Sequence, residues 1–222
     1  MPTSVKYGYV MSSLRIDIVS DVVCPWCVIG FKRLEHVLKQ YQGDIHAEIC
    51  WRPFELNPDM SAEGQELREH LQEKYGSTPE QSRMIRQRIS DLGTELGFDF
   101  QFSDEMKIYN TFKAHQLLSF SELYGKQTEL KMALFESYFS EGGNISDTQV
   151  LMDVVAKTGL DVELARQALE DNRFVSEVRE QEAFWQQQGI HSVPAIIFNQ
   201  KDLISGAQDE SVFMDYLKQH LV

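Results

Sequence analysis

Apolar and polar residues alternate through Leu14-Arg15-Ile16-Asp17-Ile18-Val19 before the run turns wholly apolar, which predicts a strand entering a core. From Val28 to Tyr41 the period lengthens. Ile29, Leu34, Val37, Leu38 and Tyr41 can share one broad apolar face, so a helix is expected, with Gly43 ending it. Alternation returns in Ile45-His46-Ala47-Glu48-Ile49-Cys50-Trp51, a second strand. A strand–helix–strand unit with parallel strands implies a right-handed crossover.

Beyond Pro53 and Pro58 the periods are helical. Leu67, Leu71 and Tyr75 mark a helix over Glu63–Tyr75. Thr78-Pro79-Glu80-Gln81 is a capping box with proline at the first helical position, opening a helix through Ile85, Ile89, Leu92 and Leu96. Helices over Asn110–Tyr124, Thr128–Tyr138, Ser146–Lys157 and Asp161–Glu170 follow, with Ser146-Asp147-Thr148-Gln149 as a second capping box. Phe174, Val178, Gln181 and Trp185 line another helix, which stops at Gly189. Strands return at Ala195–Phe198 and Leu203–Ala207, joined by a hairpin at Asn199–Asp202, before a last helix carrying Phe213, Tyr216 and Leu217.

With the helical block removed, the order is β-α-β-α-β-β-α. This predicts an α/β thioredoxin fold interrupted by an all-helical insertion domain. The expected division is a thioredoxin domain of 14–58 and 173–222, an insertion of 59–172, and an N-terminal extension of 1–13 in which Met11 is an alternative start to Met1.

Composition narrows the function. The chain has 222 residues, 42% apolar and 25% charged, with a formal charge of −13. An acidic chain without a Lys/Arg run argues against nucleic acid and anionic membrane as partners. No apolar stretch approaches the ~20 residues of a membrane span. Met1 to Met11 lack the apolar region of a secretory signal. Three cysteines do not suggest a disulfide-stapled secreted fold. A cytoplasmic protein is expected, as monomer or homodimer, and there a C-x-x-C is catalytic more often than structural.

That motif is Cys24-Pro25-Trp26-Cys27, placed where the first helix begins. Two thiols at this spacing can close a small disulfide ring. The helix dipole and free N–H groups favour a thiolate on the first sulfur, so Cys24 is expected to be the attacking thiol, the more exposed of the pair and lowered in pKa. Cys27, one turn in, would resolve the mixed disulfide. Pro25 needs no amide donor in the first turn, and Trp26 can cover apolar surface beside the sulfurs. Val193-Pro194, directly before a buried strand, is a candidate cis-proline facing the dithiol, with the Val193 backbone free to pair with an extended substrate. Asp21 can relay protons or act as a loop carboxylate; Asp17 is weaker in the same role.

Other residues leave alternatives open. Cys50 on a strand reads as an inert buried thiol. A zinc site from Cys24, Cys27, Cys50 and His46 fits less well than redox, because proline and tryptophan occupy the knuckle. Asn110 reads as a helix cap and His115 as a half-buried side chain. Trp51-Arg52-Pro53-Phe54-Glu55-Leu56-Asn57-Pro58 either lines a substrate groove or packs a domain junction.

Together these segments resemble the DsbA-like branch of the thioredoxin superfamily, and FrnE-type proteins most. The resemblance runs from Arg15 onward and rests on Asp21 to Cys27, Trp51 to Pro58, Asn110-Thr111 with Ala114-His115, Ser192-Val193-Pro194 and Ile204-Ser205-Gly206-Ala207-Gln208. It implies a dithiol at the junction of the two domains, a cis-proline opposite, and disulfide oxidoreductase or isomerase activity on protein or small-molecule thiols and disulfides. No tightly bound cofactor is implied beyond the Cys24–Cys27 disulfide, with glutathione as a candidate co-substrate. Phe54, Asn57, Asn110 and His115 join Pro25, Trp26, Val193 and Pro194 as candidate substrate contacts. Two departures stand out: Ile190-His191-Ser192-Val193 replaces a usual Gly-Val-x-Gly-Val, and Ala195 stands where threonine is common. The same fold includes kappa-class glutathione transferases and 2-hydroxychromene-2-carboxylate isomerases, which carry serine at the first cysteine. The alternative function is therefore a glutathione-dependent transferase or isomerase using His115 and Asn57 on a small aromatic or electrophilic substrate.

Overall fold

The computed structural model describes residues 12–41 and 45–221. Most of the expected 1–13 extension, including Met11, and the expected helix stop at Gly43 lie outside the described residues. Strand β1 (Ser12–Ser20) runs parallel to β2 (Ile45–Pro53), with helix α1 (Pro25–Gln40) between them in sequence. On its other edge β1 pairs antiparallel with β5 (Ala195–Phe198), which pairs antiparallel with β6 (Asp202–Ser205). The four-stranded order is β2-β1-β5-β6. Helix α8 (Val175–Gln187) precedes β5, and α9 (Glu210–His220) closes the chain. This is the thioredoxin order the periodicity predicts.

The two faces of β1 are buried against different partners. Leu14, Ile16 and Ile18 point into the large core with Phe31, Leu34 and Val37 of α1 and Phe213 and Leu217 of α9. Val19 points the other way, into a smaller cluster with Phe54, Trp185, Ile190, Ala195 and Ile197. Because side chains alternate along a strand, Asp17 shares Val19's face and Ser20 shares Ile18's.

Between β2 and α8 lie α2 (Leu67–Tyr75), α3 (Pro79–Glu95), α4 (Phe112–Glu122), α5 (Gln127–Phe139), α6 (Thr148–Lys157) and α7 (Val162–Glu170). The block also carries one short ladder, β3 (Gln65–Glu66) against β4 (Lys107–Ile108). This ladder delays the start of α2 from the expected Glu63 to Leu67. The Thr78 capping box forms in full, with Thr78 Oγ1 accepting from Gln81 N–H and Gln81 returning the bond. The expected box at Ser146 does not form. Asp147 is the cap and accepts from Gln149 and Val150 N–H, while Ser146 Oγ donates to Ala62 O at 2.6 Å. In α8, Glu182 rather than Gln181 takes the buried turn. Among the described residues no helix is long and apolar enough to cross a membrane.

Candidate active site

Helix α1 begins three residues earlier than the apolar pattern suggests, at Pro25, so Cys24 is its N-cap. Proline lacks an N–H that the first turn could not bond internally in any case. Cys24 and Cys27 are free thiols, 4% and 0% exposed. Cys24 opens onto a cavity of about 830 Å³, and Cys27 does not line it. The expectation that Cys24 is the more accessible sulfur therefore holds by its position at the cavity wall.

The Val193–Pro194 peptide is cis. Val193 O lies 3.7 Å from Cys24 Sγ and can accept its proton. Pro194 rests on α1 at Gly30, where an added Cβ would come within 3.2 Å of Pro194 Cγ. A residue without a side chain thus lets the dithiol helix and the proline turn approach closely. The candidate contacts Pro25, Trp26, Phe54, Asn57 and Val193 all line the cavity, joined by Leu67, Leu71 and Ile89 of the insertion. Lys74 Nζ donates to Leu56 O and Asn57 Oδ1 at 2.7 and 2.6 Å, fixing the rim.

Asn110 and His115 do not reach this cavity. Asn110 Nδ2 donates to Pro58 O and Met60 O, and its Oδ1 accepts from Phe112 N–H, so it staples a loop to α4. Thr111 occupies the N-cap position of α4 without a side-chain bond, and Asn110 supplies the capping oxygen from one residue earlier. His115 is buried, with Nε2 3.4 Å from Asp21 Oδ1. Asp21 Oδ2 accepts from Leu56 N–H at 2.7 Å. Burial alone would push the Asp21 carboxyl up; His115 and the Leu56 N–H outweigh it and hold the group below its usual value. Arg52 and Trp51 pack the junction instead of lining the groove. Arg52 binds Asp17 at 2.7 Å, and Trp51 Nε1 donates to Thr128 Oγ1 at 3.0 Å. Cys50 stays apart, its thiol raised by burial. Among the described residues no group of three or more His, Cys, Asp or Glu converges as a metal site.

The thiols differ from the helix-dipole expectation. The hydrogen bond shared with Cys27, then burial, push the Cys24 thiol well above its usual value, and the Asp21 charge adds to this. For Cys27, burial opposes ionisation, but the Cys24 thiol, the Ser20 hydroxyl and the Lys131 charge together bring it below. In the dithiol state the pair favours a negative charge on the inner sulfur. The second thiol and the two buried side chains behind it outweigh the helix dipole.

One signal could have revealed Lys131. It is the charged residue in Leu130-Lys131-Met132-Ala133-Leu134-Phe135, on the helix face that also carries Leu134, Phe135 and Tyr138. A second ionic group buries its carboxylates under a half-exposed arginine: Arg179 binds Glu55 and Glu182 and lies 3.7 Å over the Phe112 ring. Burial, then the Glu182 charge, raises Glu55.

The sequence matches the DSBA-like thioredoxin domain over residues 15–218. The chain belongs to the DsbA-like thioredoxin family. Within reach of this DsbA-like chain is the uncharacterized protein YwbO of Bacillus subtilis (strain 168), 27% identical over 202 residues, covering 90% of this chain and 94% of YwbO. The crystal structure of the probable DsbA oxidoreductase SCO1869 from Streptomyces coelicolor superposes with a TM-score of 0.86 at 29% identity, covering 93% of this chain and 89% of that one. The cytosolic disulfide reductase DsbM from Pseudomonas aeruginosa, solved with GSH, shares the fold at a TM-score of 0.62 and 14% identity, covering 93% and 98%.

Proposed function

We propose that this DsbA-like protein is a thiol–disulfide oxidoreductase of the FrnE type, with Cys24 as the sulfur that exchanges with substrate and Cys27 as the resolving thiol. The observation that carries the reading is the wall position of Cys24: it borders the cavity and faces Val193 O, while Cys27 is sealed behind it. In the oxidised protein a substrate thiolate attacks Cys24 Sγ, the Cys24–Cys27 bond breaks, and Cys27 leaves with the electron pair. A second substrate thiolate attacks the substrate sulfur of the mixed disulfide and releases Cys24, so two substrate thiols become one disulfide. The reverse sequence reduces a substrate disulfide.

The cavity favours thiols and disulfides with apolar bodies, from Leu67, Leu71, Ile85 and Ile89 on one wall, and with acidic groups, from Lys74 and Arg86. Glutathione fits that description as co-substrate, and the shared fold with GSH-bound DsbM supports it. The rival reading, a glutathione-dependent transferase or isomerase, loses His115 as a substrate contact because Asp21 and the core enclose it.

Cys24→Ser is the deciding variant. It should abolish exchange with glutathione and with a disulfide-containing protein, while Cys27→Ser should accumulate a mixed disulfide at Cys24. Exchange that survives Cys24→Ser rejects the assignment. Glutathione transfer to an electrophile that survives Cys27→Ser at full rate supports the rival.

A further inference from the structure

Lys131 lies at the wrong end of the polarity scale for its place. Its side chain is fully buried, and Nζ has no hydrogen-bond partner. It sits 5.2 Å from the centroid of the Trp51 ring and 4.9 Å from that of Phe135. Two ring faces attract a cation, but they do not replace the hydrogen bonds an ammonium loses on leaving water. Ser20 Oγ is likewise buried and unpartnered. Both side chains bear on Cys27, which is fully buried and has no solvent to take its proton. Two donors without acceptors beside one sealed thiol are unsatisfied while that sulfur is protonated. A thiolate at Cys27 would supply the negative charge that the buried lysine lacks.

The groups facing Lys131 can be named element by element. Cys24 and Cys27 come from the start of α1, and Asp21 from the loop before it. His115 of α4 is spent on Asp21. Strand β2 presents Trp51, and α6 packs on α5 with apolar Leu151, Met152 and Val155. Burial brings the amine down to about 8 even with the cysteines present.

We infer that Lys131 is the proton store of the dithiol: an amine when Cys24 and Cys27 are joined, and an ammonium paired with the Cys27 thiolate when they are reduced. The inference rests on the oxidoreductase reading and adds a positioning residue to it, supplied by the insertion. When a mixed disulfide at Cys24 is resolved, Cys27 has already passed its proton to Lys131, and Lys131 releases that proton to solvent once the Cys24–Cys27 bond has formed. The thiolate attacks Cys24 Sγ, and the substrate sulfur leaves as a thiolate with the bonding electrons. In the opposite direction Cys27 leaves as a thiolate beside a Lys131 that has taken one proton from solvent. A stabilised leaving sulfur makes attack at Cys24 faster.

The test counts protons and thiolates together, in wild-type protein near neutral pH. Ultraviolet thiolate absorbance should show one thiolate per reduced chain. Reduction by dithiothreitol, followed with a pH indicator in weak buffer, should release no net proton, because the protein takes up both protons that dithiothreitol loses. One thiolate accompanied by one released proton would mean that Lys131 keeps its charge throughout, and absence of any thiolate would mean that it pairs with nothing; either result overturns the inference. In a Cys24→Ser background, Lys131→Met should lower the ionisation constant of Cys27 by at least about tenfold, one unit in pKa. Near-ultraviolet circular dichroism checks that this variant is folded. These readouts need no substrate, so they can fail while Cys24-dependent exchange persists, and the reverse.

Discussion

Strand β1 separates two buried ionic groups, and they are built on opposite rules. On the α8 face, Asp17 is closed on all sides: Arg15 binds it through two nitrogens at 2.9 and 3.0 Å, and Arg52 binds it at 2.7 Å. On the α1 face, past Ser20, Lys131 Nζ is buried without a hydrogen-bond partner. Burial would raise the Asp17 carboxyl, yet the two guanidinium groups hold it below its usual value. Burial lowers Lys131, and nothing beside it fully reverses the effect. A charge that the fold needs is neutralised where it sits. An ionisable group left without a partner costs stability, and such a cost is retained where chemistry uses it.

Substitutions can pull the two sides apart. The largest effect is expected for Asp17→Ala, which strands Arg15 and Arg52 and should cost about 3 kcal/mol in chemical denaturation. Its thiol–disulfide equilibrium with glutathione should stay within about twofold of wild type, since the group lies on the other face of the strand. A redox change as large as that of Lys131→Met would erase the distinction.

Acid titration probes the same side more gently. Because the Asp17 carboxyl is lowered on folding, the stability it contributes is complete above its unfolded value near 3.8 and is lost as pH falls through the lower folded value. Asp17→Asn should flatten that part of the stability curve; an unaltered curve would show that the guanidinium pair contributes little.

Lys131→Met should have the opposite sign, leaving stability unchanged or raising it by about 1 kcal/mol, because an apolar side chain replaces a buried amine that has no hydrogen-bond partner. Between about 8 and the ordinary lysine value of 10.5 the unfolded chain binds more protons than the folded one, so wild-type stability should rise with pH there. The variant should lack that contribution. A loss of several kcal/mol on substitution would make Lys131 a structural residue instead.

A control on an exposed polar bond should leave the redox side untouched. Thr78→Ala should cost about 1 kcal/mol through the lost cap and should not move the redox equilibrium.

Much of the fold was legible because several local signals agreed. β1 and β2 alternate, Pro25 suits a first helical turn, and Thr78 sits three residues before Gln81. The β3–β4 ladder was not legible, since two-residue strands are too short to show a period. The pairing also overrode the helical spacing of Glu63–Tyr75. At the site, Cys24 and Val193-Pro194 could be read because their chemistry depends on spacing and on proline. Asn110 and His115 were placed in the right region but given the wrong neighbours, because sequence does not tell which face of α4 turns inward. Lys131 is not legible, because the apolar run around it reads as core and only the structure shows that its Nζ lacks a partner.

The three cysteines have unequal access, and that difference is a practical handle. All three are buried, and Cys24 alone of the three borders the cavity. A maleimide small enough to enter the cavity should therefore attach at Cys24 alone in the native reduced protein and at all three cysteines after denaturation. Labelling stoichiometry becomes a gauge of structural integrity for every variant above, read by mass and without any assay of turnover.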